Sequence, residues 1–225
     1  DPDTRELAAL TIRKLAVDPK MSNNCYLLTC RETGESLLID AADDPRRLLA
    51  FVGDKLTTIV TTHQHWDHHR ALRDLVLATD AMTIAGAPDA EAITEQTGVT
   101  IDSTVEDDDV VMVGTSELRV IRITGHTPGS IALVYDDPAG HPHLFTGDSL
   151  FPGGVGNTFG DDAAFARELF AATHVTVLPG QYLARDAHGE NPGRGYVRIA
   201  LVAELAECVE AAHRIVRFCQ NARRD

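Results

Sequence analysis

Apolar positions along most of the chain fall into short runs, some with the two-residue period of a strand and others with the three-to-four-residue period of a helix. Leu10 to Val17 and Cys25 to Thr29 read as strands; Asp18-Pro19 and Ser22-Asn23-Asn24 supply turn chemistry, so the chain opens on a hairpin. Ser36 to Asp40 follows as a buried strand ending in a carboxylate, then Pro45 to Val52 as a short helix and Thr57 to Thr61 as a strand. His69 to Ala78 reads as a helix, Met82 to Ala85 as a strand, and Pro88 to Gln96 as a surface helix stopped by Gly98. Nothing between Met82 and Gly98 suggests chemistry. Alternation returns in Val110 to Val113 and Glu117 to Ile123, and Ile131 to Tyr135 with His143 to Thr146 form a hairpin around Asp136 to Gly140. Strands interleaved with helices predict an α/β layered domain. Beyond it, Asp161 to Ala172 reads as a helix, and Val175 to Leu178 and Tyr196 to Val202 as strands. A last amphipathic helix starts near Ala203, with Leu205, Cys208, Ala212, Ile215 and Cys219 at helical spacing.

Composition narrows the classes. A chain of 225 residues with 44% hydrophobic content can bury a real core, as one large domain or two small ones. It contains no apolar run of about 18 residues, so no membrane span is expected. A formal charge of −14 repels phosphate backbones, and Glu106 to Asp109 add an acidic cluster with no compensating basic block, which disfavours nucleic acid and leaves a small molecule as the expected partner. Cys25, Cys30, Cys208 and Cys219 lack Cys-x-x-Cys spacing and read as reduced core thiols. Asp1-Pro2-Asp3 shows neither the basic nor the apolar region of a secretory signal, so a cytoplasmic location is the default expectation.

The chemistry concentrates in Thr61-Thr62-His63-Gln64-His65-Trp66-Asp67-His68-His69, directly after an apolar run. Imidazole and carboxylate are ligands that zinc favours, and a turn leaving a buried strand can aim alternate side chains at one point. His63 and His65 would share one metal, while Asp67 and His68 turn towards a second. A surface loop merely rich in histidine would need no partners elsewhere, and partners do appear downstream. The pattern His-x-His-x-Asp-His resembles the signature of the metallo-β-lactamase superfamily, zinc hydrolases built as an αββα sandwich. Arg70 stands where family members often carry glycine, and would narrow the cleft or offer a cation to an anionic substrate. Leu38-Ile39-Asp40 resembles the superfamily's aspartate that orients a ligand or the metal loop; the other reading of Asp40 is a cap for the helix near Asp43. Gly125-His126-Thr127-Pro128-Gly129-Ser130 narrows the resemblance to the glyoxalase II and thioesterase branch, which implies that His126 completes a three-histidine site. Thr146-Gly147-Asp148 resembles the family segment whose carboxylate bridges both metals. His141 and His143 belong to a hairpin and need no metal.

The match covers about residues 10 to 157 and then breaks. Where the family carries Pro-Gly-His-Gly this chain has Pro179-Gly180-Gln181, so the second site would lose an imidazole, with His188 as a substitute. His174, at a strand's start, reads as structural. From about Asp161 the chain resembles the C-terminal end of a class I pyridoxal-phosphate aminotransferase, nearest to succinyldiaminopimelate aminotransferase, with Arg198 where that family holds a substrate carboxylate. The cofactor needs a lysine, and Lys14, Lys20 and Lys55 all lie in the other part, so the tail alone cannot transaminate. The expected division is therefore 1–159, a metal hydrolase domain, and 160–225, an atypical strand-helix segment packed on the first part or on a second copy in a homo-oligomer.

The resemblance implies a zinc-dependent hydrolase with one or two ions per chain, in which metal-bound hydroxide attacks an activated carbonyl of a thioester, ester or lactone. His63, His65 and His126 would hold one ion, Asp67, His68, Asp148 and His188 the second; with one ion Asp67 would act as the general base. Competing expectations are a catalytically impaired protein of the same fold, an aminotransferase-derived binding module, and redox chemistry at a di-iron site.

Overall fold

The computed structural model describes residues 3–18, 20–123, 126–151, 154–155, 162–180, 184, 191, 193, 196–199 and 203–221. Its contacts divide into two units, Asp1–Arg122 with Thr127–Phe145, and Ile123–His126 with Thr146–Asp225. In the first unit, β1 (Asp3–Glu6), β2 (Leu10–Val17), β3 (Asn23–Cys30), β4 (Ser36–Ile39), β5 (Leu56–Thr61), β6 (Met82–Gly86) and β7 (Ser103–Val105) form a seven-stranded sheet in chain order. Neighbours are antiparallel from β1 to β4 and parallel from β4 to β7. Parallel neighbours require crossovers. Here these contain α1 (Pro45–Val52), α2 (Leu72–Thr79) and α3 (Ala90–Thr97). A second, antiparallel sheet joins β8 (Val110–Val113), β9 (Ser116–Arg122), β10 (Ile131–Tyr135) and β11 (His143–Phe145) in the order β11-β10-β9-β8.

Side-chain alternation explains the layering. Successive residues of a strand face opposite sides, so a central strand with both faces covered reads as a continuous apolar run. Leu27, Leu38 and Ile59 face one way and pack with Leu48, Phe51, Leu72, Leu75 and Ile93 of the helices. Leu28, Leu37, Ile39 and Val60 face the other way and pack with Val113, Leu118, Val120, Ile131 and Leu133 of the second sheet. The unit is thus a helix layer on a sheet on a sheet.

In the second unit, β12 (Leu150–Phe151), β13 (Gly154–Val155), β14 (Leu178–Pro179) and β15 (Val197–Arg198) form a sheet in the order β12-β13-β15-β14, accompanied by α4 (Asp162–Thr173) and α5 (Leu205–Asn221). Its core is Ala166, Leu169, Val175, Val177 and Val197, with Ala211, Ile215 and Phe218 of α5 packed against it. No helix among the described residues is long and apolar enough to cross a membrane.

Several elements differ from expectation. The helix expected from His69 begins at Leu72, because Trp66–His68 form a separate 3-10 turn and the His69 ring is turned back onto the Gln64 carbonyl at 3.1 Å. Of the expected Val175–Leu178 strand only Leu178 pairs, together with Pro179, since the partner β15 offers two residues; 200–202 of the expected Tyr196–Val202 strand lie outside the described residues. The packed face of α5 is Ala211, Ile215 and Phe218; Leu205 is 59% exposed and Ala212 is exposed, so only part of the expected stripe meets the core. β1 and β7 escaped the sequence pattern because Asp3–Glu6 and Ser103–Val105 are short, largely polar edge strands. Cys25 and Cys30 are core residues, and burial pushes the Cys25 thiol up to about 12; Cys208 and Cys219 are half-buried, and the described residues contain no disulfide. The acidic cluster does find compensation, from Arg122 on Glu106 at 2.7 Å and Arg119 on Asp108 at 4.0 Å.

Candidate metal centre

β5 delivers the histidine-rich loop at its C-terminal end, where side chains of a parallel strand can leave the sheet and converge. Asp40, one residue past β4, lies at the root of that loop. Its backbone is left-handed, with φ 60°, a conformation that aspartate tolerates. Asp40 Oδ1 accepts the Thr62 N–H at 2.8 Å, and Oδ2 accepts the Thr62 hydroxyl at 2.9 Å and His68 Nδ1–H at 2.8 Å. Asp44 makes the helix cap, accepting Arg47 N–H at 3.3 Å, so Asp40 orients the loop as one of its two readings required.

These bonds fix tautomers. The Thr62 hydroxyl proton is committed to Asp40, so His63 Nδ1, 3.1 Å from Thr62 Oγ1, carries the proton of that hydrogen bond. His68 Nδ1 likewise donates to Asp40, and in both rings Nε2 then bears the lone pair that metal ligation needs. The rings are close: centroids of His63 and His65 lie 4.8 Å apart and those of His63 and His68 4.2 Å apart. Ring nitrogens of each pair fall within 4.8 Å. Asp67 is buried, with Oδ2 3.9 Å from His68 Nε2 and accepting Asn23 Nδ2 at 3.0 Å. Imidazoles with a carboxylate form a donor set that suits zinc or iron.

In the second unit, His126 Nε2 and Asp148 Oδ2 are 3.7 Å apart, Asp148 standing in a 3-10 turn, Gly147–Ser149, just after β11. His188 and Gln181 lie outside the described residues. His174 is exposed in a left-handed conformation after α4, with its ring edge-on to Phe170, and serves as a helix terminator. His143 stacks on Tyr135 within its hairpin. Arg198 is exposed on β15.

The Arg70 guanidinium is engaged within the scaffold. It pairs with Asp18 and, at 3.3 Å, with Asp43, and lies 4.4 Å over the Trp66 ring. The bond from Arg70 lowers the Asp18 carboxyl below its usual range, and the Lys20 N–H adds to this. His69 is also a brace: burial lowers its pKa and its Nε2 meets the Gln64 carbonyl. Sequence reasoning missed Asp89, which is fully buried and accepts from Gln64, Thr127 and Gly129. The one signal was an aspartate after Pro88, where a helix cap is the ordinary reading.

A family model described as the metallo-beta-lactamase superfamily matches residues 18–194, past the expected boundary at 159. Hydroxyacylglutathione hydrolase of Rhodospirillum rubrum is 35% identical over 184 residues, 81% of this chain and 67% of that protein. The mitochondrial persulfide dioxygenase ETHE1 of Bos taurus is 32% identical over 184 residues, 76% of this chain and 67% of that protein. Among solved structures, a metallo-beta-lactamase from Staphylococcus aureus superposes with a TM-score of 0.56 and 28% identity, over 66% of this chain and 44% of that one. TTHA1623 in a di-iron-bound form gives a TM-score of 0.50 at 30% identity, over 64% of this chain and 75% of that one. On sequence, fold and the histidine motif together, the chain belongs to the metallo-beta-lactamase superfamily.

Proposed function

We propose that the chain is a zinc-dependent hydrolase of small-molecule activated carbonyl compounds, with thioesters the first class to test. The observation that carries this reading is the cluster of His63, His65 and His68, in which Thr62 and Asp40 set the tautomers of His63 and His68 so that Nε2 of each can ligate. Identity to a hydroxyacylglutathione hydrolase supports the thioester. In this proposal, as the family resemblance implies, His63, His65 and His126 would hold one ion, Asp67 and His68 a second, and Asp148 would serve both. His188 remains the proposed further ligand. Zinc, when bound, lowers the pKa of a coordinated water and polarises a carbonyl oxygen.

The chain's own residues supply the rest. Asp40 and Thr62 hold the imidazoles in one tautomer, which avoids reorganisation when charge develops. Asn23 holds Asp67 by its carboxylate and by its backbone carbonyl, at 3.0 and 2.8 Å. So held, Asp67 would serve as a ligand with two ions present, and with one ion would take a proton from the attacking water at a carboxylate oxygen. The family match to residue 194 supports reading residues 160–194 as part of the hydrolase.

The test is turnover of a hydroxyacylglutathione thioester by zinc-loaded protein. His65→Ala is expected to abolish it, and unchanged turnover in that variant would remove the assignment. A persulfide dioxygenase relative and a di-iron-bound neighbour favour a second reading, in which the same donors hold iron and the substrate is oxidised. Iron in the purified protein by elemental mass spectrometry, with oxygen consumed on addition of a persulfide, would select it.

A further inference from the structure

Asp89 stands at the start of α3, the position from which an aspartate ordinarily caps a helix, yet its side chain makes no cap bond. It is 0% exposed. Its oxygens instead accept three donors from two other segments. Oδ2 takes the Gln64 N–H at 3.0 Å and the Thr127 hydroxyl at 2.5 Å; Oδ1 takes the Gly129 N–H at 2.7 Å. Gln64 lies between His63 and His65, and Thr127 follows His126 directly.

The contact is built into the backbone. A Cβ on Gly129 would meet the Asp89 amide nitrogen at 2.5 Å and its carboxylate carbon at 2.8 Å; one on Gly86 would meet the Gly129 carbonyl at 2.0 Å. Only glycine permits this approach at either place. Ile131 N–H to the Thr62 carbonyl at 2.9 Å and the bonds of Ser130 Oγ to Thr127 complete the seam. A buried carboxylate is costly unless well supplied with donors, and here every donor comes from a segment that flanks a proposed ligand.

We infer that Asp89 is a positioning residue that fixes the His63-Gln64-His65 segment against the segment that begins at Thr127, and thereby sets the affinity of the centre for its metal. It touches neither metal nor substrate. Asparagine at this position would keep the size but turn an NH₂ donor towards groups that are themselves donors, so the two segments would relax apart. The inference rests on the proposed metal centre.

The experiment is zinc affinity of the full chain, by competition with a chromophoric chelator, in the parent, Asp89→Asn and Thr127→Val. Outer partners of metal ligands typically change affinity by about ten- to hundredfold, and Asp89→Asn is expected in that range with a smaller loss in Thr127→Val. Far-ultraviolet circular dichroism and metal-free melting establish that each variant is folded, and the absorption bands of the cobalt-substituted protein are expected to change with Asp89→Asn. Folded Asp89→Asn with parental affinity and an unchanged cobalt spectrum overturns the inference and leaves the hydrolase reading standing. If Asp89→Asn does not fold, parental affinity in Thr127→Val overturns it. A parent that binds neither zinc nor iron overturns both.

Discussion

Arg70 shows how one residue can sit inside a metal motif and serve the scaffold. Its guanidinium joins the turn after β2 through Asp18 and the start of α1 through Asp43, while its plane lies on Trp66. Because Asp18 titrates below its usual range in the folded chain, its contribution to stability is present above the ordinary carboxylate value of ~4 and is lost as pH falls through the depressed folded value. Arg70→Ala is therefore expected to melt at a lower temperature than the parent at pH 7, with the difference shrinking in strong acid. Melting curves across pH check this; an equal gap at pH 7 and at the lowest accessible pH would contradict it. The same contrast explains what was legible at this scale. His63, His65, Asp67 and His68 announce themselves by spacing, because three histidines and an aspartate crowd into six positions directly after a buried strand. Asp89 and Asn23 act through partners 25 and 44 positions away, and no local pattern records such a bond.

At the scale of elements, continuous apolar runs such as Leu37 to Ile39 were readable because both faces of a central strand are covered. Edge strands and the second unit were less so: β14 and β15 pair over two residues, and so short a ladder leaves no period in the sequence. Helix α5 had a correct period but a shifted face, since helical spacing states that a stripe exists and the partner decides which stripe is used. Leu169 of α4 is 0% exposed and Leu205 of α5 is 59% exposed. Leu169→Ala is expected to cost about 2–5 kcal/mol and Leu205→Ala to stay within about 0.5 kcal/mol, as read by urea unfolding. Similar costs for both would mean that α5 buries its other face.

For the whole molecule, the seven-stranded sheet changes character at β4, antiparallel before it and parallel after. The histidine loop is part of the crossover between β5 and β6, so its geometry exists only once two strands distant in sequence lie side by side. Assembly of such non-local pairs comes late and slowly. The loop is therefore expected not to nucleate folding, and a bound metal ion not to template it. Contacts absent from the transition state slow unfolding and leave the folding rate alone. Zinc is expected to lower the unfolding rate in stopped-flow measurements with little change in refolding; equal acceleration of refolding would refute that. The ion would then work as a lock on a finished molecule, and how long an enzyme molecule lasts would depend on metal supply even when how fast it forms does not.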